Sequence, residues 1–194
     1  PEEVSGRAMG KIDLVHPGEA KGQRQPPSSA VRAEFWGEAD AVRRHLSAEA
    51  PIAVLDYWER LRGARLFPAR AQFDPMAVRK YLPNIFMIDV LPNGEYRYRV
   101  VGTVISEFFG AGNATGKTPQ EVFGEAAEVA LAPIRICASE RSPYMHKASA
   151  EWHYQDRNFV YYEVVVLPLG ESDAAVDKVL CCAAFVGEEE AARR

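Results

Sequence analysis

The stretch Ala111-Gly112-Asn113-Ala114-Thr115-Gly116-Lys117-Thr118 has residue types and spacing that invite a chemical reading. It fits a loose phosphate-binding pattern: a small residue, four others, then Gly-Lys-Thr. In such a loop backbone amides cradle phosphates, the Lys reaches the terminal phosphates and the Thr binds magnesium. That chemistry needs a buried strand before the loop and a long helix after it. Here the preceding Ser106-Glu107-Phe108-Phe109-Gly110 reads as helical, and Pro119 follows Thr118 directly. The first position is Ala111 and not Gly, and no apolar strand ending in Asp follows to complete a magnesium site. A helix start accounts for more of the residues. Thr118 caps, Pro119 takes the first helical position and Glu121 completes a capping box. A cap is therefore expected, with a nucleotide-binding enzyme using Gly116-Lys117-Thr118 as the alternative.

Other reactive groups are scattered. His146 and His153 lie seven positions apart in a predicted strand, which sends them to opposite faces, and no short-spaced Cys/His pair exists. No metal site is expected. Cys181 and Cys182 alternate across a strand and read as small packing residues. Glu171, Asp173 and Asp177 cluster in a polar loop, where solvation is the default, and no Gly-x-Ser-x-Gly elbow is present. No catalytic residue is expected, and the chain reads as non-enzymatic. What remains is recognition. A curved antiparallel sheet under short helices leaves an apolar interior pocket. Its candidate lining is Tyr98, Phe109, Tyr162, Val164 and Cys182, with Arg99 or His146 as the polar handle; the competing reading is that these side chains simply fill the core, which would make the chain a ligand-free interaction adaptor. Arg99 has a plain role too, as a salt-bridge partner of Asp89 or Glu163 across the sheet.

The elements that must position these residues follow from periodicity. Residues 1–29 are Gly-, Lys-, Glu- and Gln-rich and end in Pro26-Pro27-Ser28-Ser29, a flexible tail that cannot offset its chain entropy. Met9 is read as the native start, with Pro1 to Ala8 a vector remnant. Residues 30–82 read as a helical extension. Phe35, Ala39, Val42 and Leu46 give one helix, and Leu55, Trp58 and Leu61 put an apolar face on a second from Ile52 to Arg62. Gly63 ends it. Asp74-Pro75 caps a short helix that stops before Pro83. Residues 83–187 change texture. Asn84 to Leu91 and Tyr96 to Val101 are strands joined by a Pro92-Asn93-Gly94-Glu95 turn. Short helices flank the Gly-rich loop, and a longer one runs from Ala126 to Ser139, kinked or split at Pro133. Three strands follow, at Tyr144–Tyr154, Phe159–Leu167 and Val179–Val186, and residues 188–194 form a solvated tail. The predicted class is α+β: one antiparallel sheet with its helices on one face.

Composition narrows the partners. Lys plus Arg total 23 against 27 Asp plus Glu, a net charge of −4 in 194 residues. Without a basic cluster, binding to nucleic acid is not expected. No run of about 18 apolar residues is present, so no membrane span is expected. An odd number of cysteines, two of them adjacent, is no disulfide framework and points to the cytoplasm.

Several stretches together are similar to a known family. They are Leu55-Asp56-Tyr57-Trp58, Phe67-Pro68-Ala69-Arg70 with Asp74-Pro75, Tyr81-Leu82-Pro83-Asn84-Ile85-Phe86, Tyr98-Arg99-Val100-Val101-Gly102-Thr103, Phe109-Gly110 with Thr115-Gly116-Lys117, and Val166-Leu167-Pro168-Leu169. With the order β-β-α-α-α-β-β-β, the chain resembles a PAS domain, of a bacterial PAS-like type that stands alone. The resemblance implies a five-stranded antiparallel sheet with flanking helices, used in sensing or in signalling between proteins. It also implies a small molecule between sheet and helices, with the N-terminal helices from Ala30 to Arg62 either forming a homodimer or covering the outer sheet face. No Asn-Cys-Arg flavin-adduct motif and no haem-ligand His on the long helix is found, and the cofactor stays unknown.

Overall fold

Turn chemistry starts the sheet. At Pro92-Asn93-Gly94 the chain reverses, with Gly94 at φ 83°, a left-handed value that favours glycine. The Leu91 N–H donates to the Glu95 carbonyl at 2.9 Å, and Ile85–Val90 (β2) folds back onto Tyr96–Val101 (β3). The computed structural model describes residues 31–110, 112–149 and 160–187. The predicted tails at 1–29 and 188–194, Ala111 and His153 lie outside the described residues.

Four further strands complete one antiparallel sheet: Val31–Trp36 (β1), Tyr144–Ser149 (β4), Val160–Leu169 (β5) and Lys178–Gly187 (β6). The spatial order is β1-β4-β5-β6-β2-β3. Around it lie Ala39–His45 (α1), Glu49–Arg62 (α2), Thr103–Phe109 (α3), Pro119–Phe123 (α4) and Ala127–Glu140 (α5). Two 3-10 segments, Arg70–Gln72 and Pro75–Asn84, connect α2 to β2.

The α+β class and the antiparallel sheet stand as read, with five corrections. The sheet has six strands, because 31–36 is a strand and not the start of a helix. Gly37 at φ 143° separates β1 from α1, and pairing along β4 gives the backbone groups of 31–36 partners that a helix would not need. Side chains reinforce it. The Tyr144 hydroxyl donates to the Glu34 carboxylate at 2.8 Å, and Phe35 stacks on His45 at 4.4 Å between ring centres. Helix α2 begins at Glu49, with Pro51 in its first turn, where the missing N–H has no intrahelical partner to lose. Pro133 neither kinks α5 into two helices nor ends it. The 3-10 segment after Asp74 runs through Pro83 to Asn84, broken by non-helical angles at Val78; the cap itself is as expected, with Asp74 accepting from the Met76 N–H.

The helices also lie on both faces of the sheet, not one. Successive residues of β5 point to opposite sides. Glu163 meets the start of α2, while Tyr162 and Val164 face α5. On the α2 side Val54, Leu55 and Trp58 are buried, as their helical spacing predicts, and the Trp58 indole N–H donates to the Pro168 carbonyl at 2.8 Å. Of the two roles open to the N-terminal helices, α2 thus takes the covering of a sheet face within the protomer. Glu163 fixes the N-terminus of α2. Its carboxylate accepts from the Ser47 and Ala48 N–H groups (2.8–3.0 Å) and the Ser47 hydroxyl (2.7 Å), and pairs with Lys147 at 2.9 Å. Burial alone would push this carboxyl up. The bonds from Ala48, Lys147 and Ser47 outweigh burial and hold it below its ordinary value.

Candidate functional site: a cleft between the sheet and helices α3 to α5

The second face of the sheet is built by register. Val164 stands opposite Ala183 on β6 and His146 on β4, and Tyr162 stands opposite Phe185. With Tyr98 and Phe86 from the far strands, these residues form a floor. The roof is Ile105, Phe108 and Phe109 of α3, Phe123 of α4, and Val129, Pro133 and Ile134 of α5. Gly110, left-handed at φ 65°, ends α3 and lets the chain leave immediately after Phe109.

Between floor and roof lies an apolar cleft of about 60 Å³. Aromatic rings set its shape. Phe109 packs at 5.2 Å from Tyr98 and edge-on at 4.9 Å from Phe123, and Phe108 lies 4.6 Å from Phe185. The polar atoms are few. The His146 Nε2 and Tyr162 hydroxyl are 3.3 Å apart, with the rings edge-to-face. His146 is 7% exposed, and its Nδ1 has no hydrogen-bond partner among the described residues. Burial lowers the imidazole pKa to about 4, so the ring is neutral at pH 7. Burial likewise raises the Tyr98 hydroxyl, keeping it protonated.

Five of the seven residues expected in a pocket come together here: Tyr98, Phe109, His146, Tyr162 and Val164. Arg99 and Cys182 do not. Arg99 follows Tyr98 in β3, so alternation turns it away; it is exposed. Its proposed salt bridges belong to other cations, since Asp89 pairs with Lys178 at 3.8 Å and Glu163 with Lys147. Cys182 is buried but stands opposite Val165 and Ile85, on the α2 face. Its neighbour Cys181, opposite Val166, shares the side of the sheet that carries the cleft. A shift of one residue reverses every assignment in a strand. Phe86, Ile105, Phe108, Phe123, Ile134 and Phe185 were missed. The signal available was the even set of β5 read against the odd set of β6, which only the register reveals.

The Gly-rich loop is tied to β3. The Gly116 N–H donates to the Tyr98 carbonyl at 2.7 Å, and the Tyr98 N–H to the Lys117 carbonyl at 2.9 Å. Thr118 Oγ accepts from the Glu121 N–H at 3.2 Å, and the Thr118 N–H donates to the Glu121 carboxylate at 2.7 Å. This is the capping box read from the sequence. Hydrogen bonding to the Thr118 backbone and hydroxyl holds the Glu121 carboxyl below its ordinary value. The strand, loop and long helix of a phosphate site are replaced here by α3, loop and a five-residue helix in an antiparallel sheet. The strand, loop and long helix that the nucleotide-binding alternative needs are not formed by these residues.

Among the described residues no three His, Cys, Asp or Glu side chains gather to hold a metal ion. The acidic loop is spread out: Asp173 pairs with Arg65 at 3.4 Å, and Asp177 accepts from the Glu171 N–H at 3.2 Å. Cys137, Cys181 and Cys182 are buried free thiols, each with its pKa pushed up by burial. No helix among the described residues is long and apolar enough to cross a membrane.

No curated protein matches the chain. Residues 46–184 match the family described as PAS domain, a span that runs from α2 through β5 and most of β6. By that match, over well more than half of its length, the chain belongs to the PAS domain family.

Proposed function

We propose that the chain is a non-enzymatic sensory or regulatory module that takes a small, mainly apolar molecule into the cleft between its sheet and helices α3 to α5. The observation that carries this is the aromatic-walled cleft of about 60 Å³, with the His146–Tyr162 pair as the polar groups in its lining. A ligand shifts a conformational equilibrium only by binding one state better than another. A molecule wedged under Phe108 and Phe109 would act on α3, and α3 is joined by a single glycine, Gly102, to edge strand β3. The proposal extends to signalling inside a bacterial cell and to self-association. Because α2 spends its apolar face on its own sheet, two copies would meet through other surfaces.

Native mass spectrometry against benzene-sized apolar compounds tests the ligand reading. One-to-one saturable binding is expected, and it should be lost in Ala130→Phe, which fills the cleft from α5. Melting of that variant near the wild-type temperature confirms that the loss is not unfolding. Binding that survives Ala130→Phe, or no binding by the wild type, overturns the reading.

A further inference from the structure

The geometry points to a narrower ligand class for this cleft: a small, uncharged single-ring aromatic bearing one hydroxyl, bonded to His146 Nδ1. The inference rests on the cleft being a ligand site, and four observations narrow its occupant.

The first is the orphaned nitrogen. His146 lines the cleft, is more than nine-tenths buried, and keeps Nδ1 without a partner among the described residues. Buried polar atoms are rarely left unpaired, and those that are call for a missing partner. The second is the link to Tyr162 at 3.3 Å. If Nε2–H donates to the Tyr162 oxygen, Nδ1 is an acceptor; if the hydroxyl donates to Nε2, Nδ1 carries the proton. A ligand hydroxyl donates and accepts, so it satisfies either tautomer. A ketone or ether satisfies only one.

The third observation is charge. Among the described residues no Asp, Glu, Lys or Arg lines the cleft, and burial keeps His146 neutral at pH 7. A carboxylate or ammonium would find no counter-charge among the described lining residues, and an apolar site penalises that heavily. The fourth is shape and size. Phe108, Phe109, Phe123 and Phe185 present flat faces and edges suited to an aromatic ring. The space is about 60 Å³, while a dry cavity of about 150 Å³ accommodates benzene. One ring therefore enters only if half-buried Phe108 and Phe185 turn aside, and fused rings are excluded.

Phenol and fluorobenzene are the probes, close in size and differing in the hydroxyl. Titrated calorimetrically against the whole chain, phenol should bind about tenfold more tightly, the worth of one additional buried hydrogen bond. His146→Phe should bring phenol to the fluorobenzene level, while Tyr162→Phe should keep most of the preference. In the wild type, phenol should also move the ¹⁵N resonance of His146 Nδ1, a readout that survives if His146→Phe fails to fold. Equal binding of the two probes, or a preference that persists without His146, overturns the hydroxyl assignment and leaves the ligand reading in place. Failure of both probes to bind overturns both.

Discussion

Glu163→Ala tests how the N-terminal helix is held to the sheet. The carboxylate receives the Ala48 N–H at 2.8 Å, the Ser47 N–H at 2.9 and 3.0 Å, the Ser47 hydroxyl and Lys147. These donors do not lose equally. Ser47 is exposed and the Lys147 side chain is 34% exposed, so both recover water. Ala48 is 7% exposed, so its N–H is stranded. One stranded donor plus the lost charge-assisted bonds amounts to about 2–3 kcal/mol. Glu163→Gln keeps an oxygen for Ala48 and should lose only about 1 kcal/mol. Urea unfolding at pH 7 measures both, with the midpoint lowered and the slope unchanged. The sign with pH follows from the lowered folded pKa. The contribution is complete above the unfolded carboxyl pKa, near 4.5, and fades as the solution is acidified through the folded value. The gap between wild type and Glu163→Ala should therefore narrow below about pH 4.5. A loss under about 0.5 kcal/mol, or Gln as damaging as Ala, would refute the reasoning.

Three further outcomes follow from the geometry. A Cβ on Gly102 would stand 2.3 Å from the Leu82 carbonyl oxygen and 2.4 Å from that of Pro83, so Gly102→Ala should cost about 2–3 kcal/mol by thermal or urea unfolding. Trp58→Phe strands the Pro168 carbonyl and leaves a void, costing about 2 kcal/mol, while sedimentation should show no change in mass because the indole faces its own sheet. His146 titrates near 4 when folded and near 6.5 when unfolded; wild-type stability should fall between those values as pH drops, and His146→Phe should lack that slope.

The sequence carried the parts governed by local chemistry. Asn93-Gly94 placed the β2–β3 hairpin, Thr118-Pro119 with Glu121 placed the start of α4, and the spacing of Leu55 and Trp58 identified the buried side of α2. What stayed hidden depends on pairing between distant segments. The helical spacing of Phe35 with Ala39 and Val42 masked β1, which owes its form to the edge of β4 about 110 residues away. Alternation places Cys182 in the cleft or opposite it equally well, because it fixes a period of two but not its phase; the pairing with Val165 and Ile85 settles the phase. Arg99 failed for a related reason, since Tyr98 and Arg99 cannot share a face of one strand. His146 was legible only as a candidate. Its distinction, a neutral ring with one nitrogen partnered and one not, is created by Tyr162 and by burial.

Chemical-shift mapping by NMR, with phenol or fluorobenzene added to the isotope-labelled chain, tests the central claim most directly. Binding in the cleft predicts saturable shifts at Ile105, Phe109, Ile134, Val164 and Ala183, with Leu55, Trp58 and Val165 on the opposite face almost unmoved. Shifts spread over both faces, or confined to the exposed surface, would contradict it.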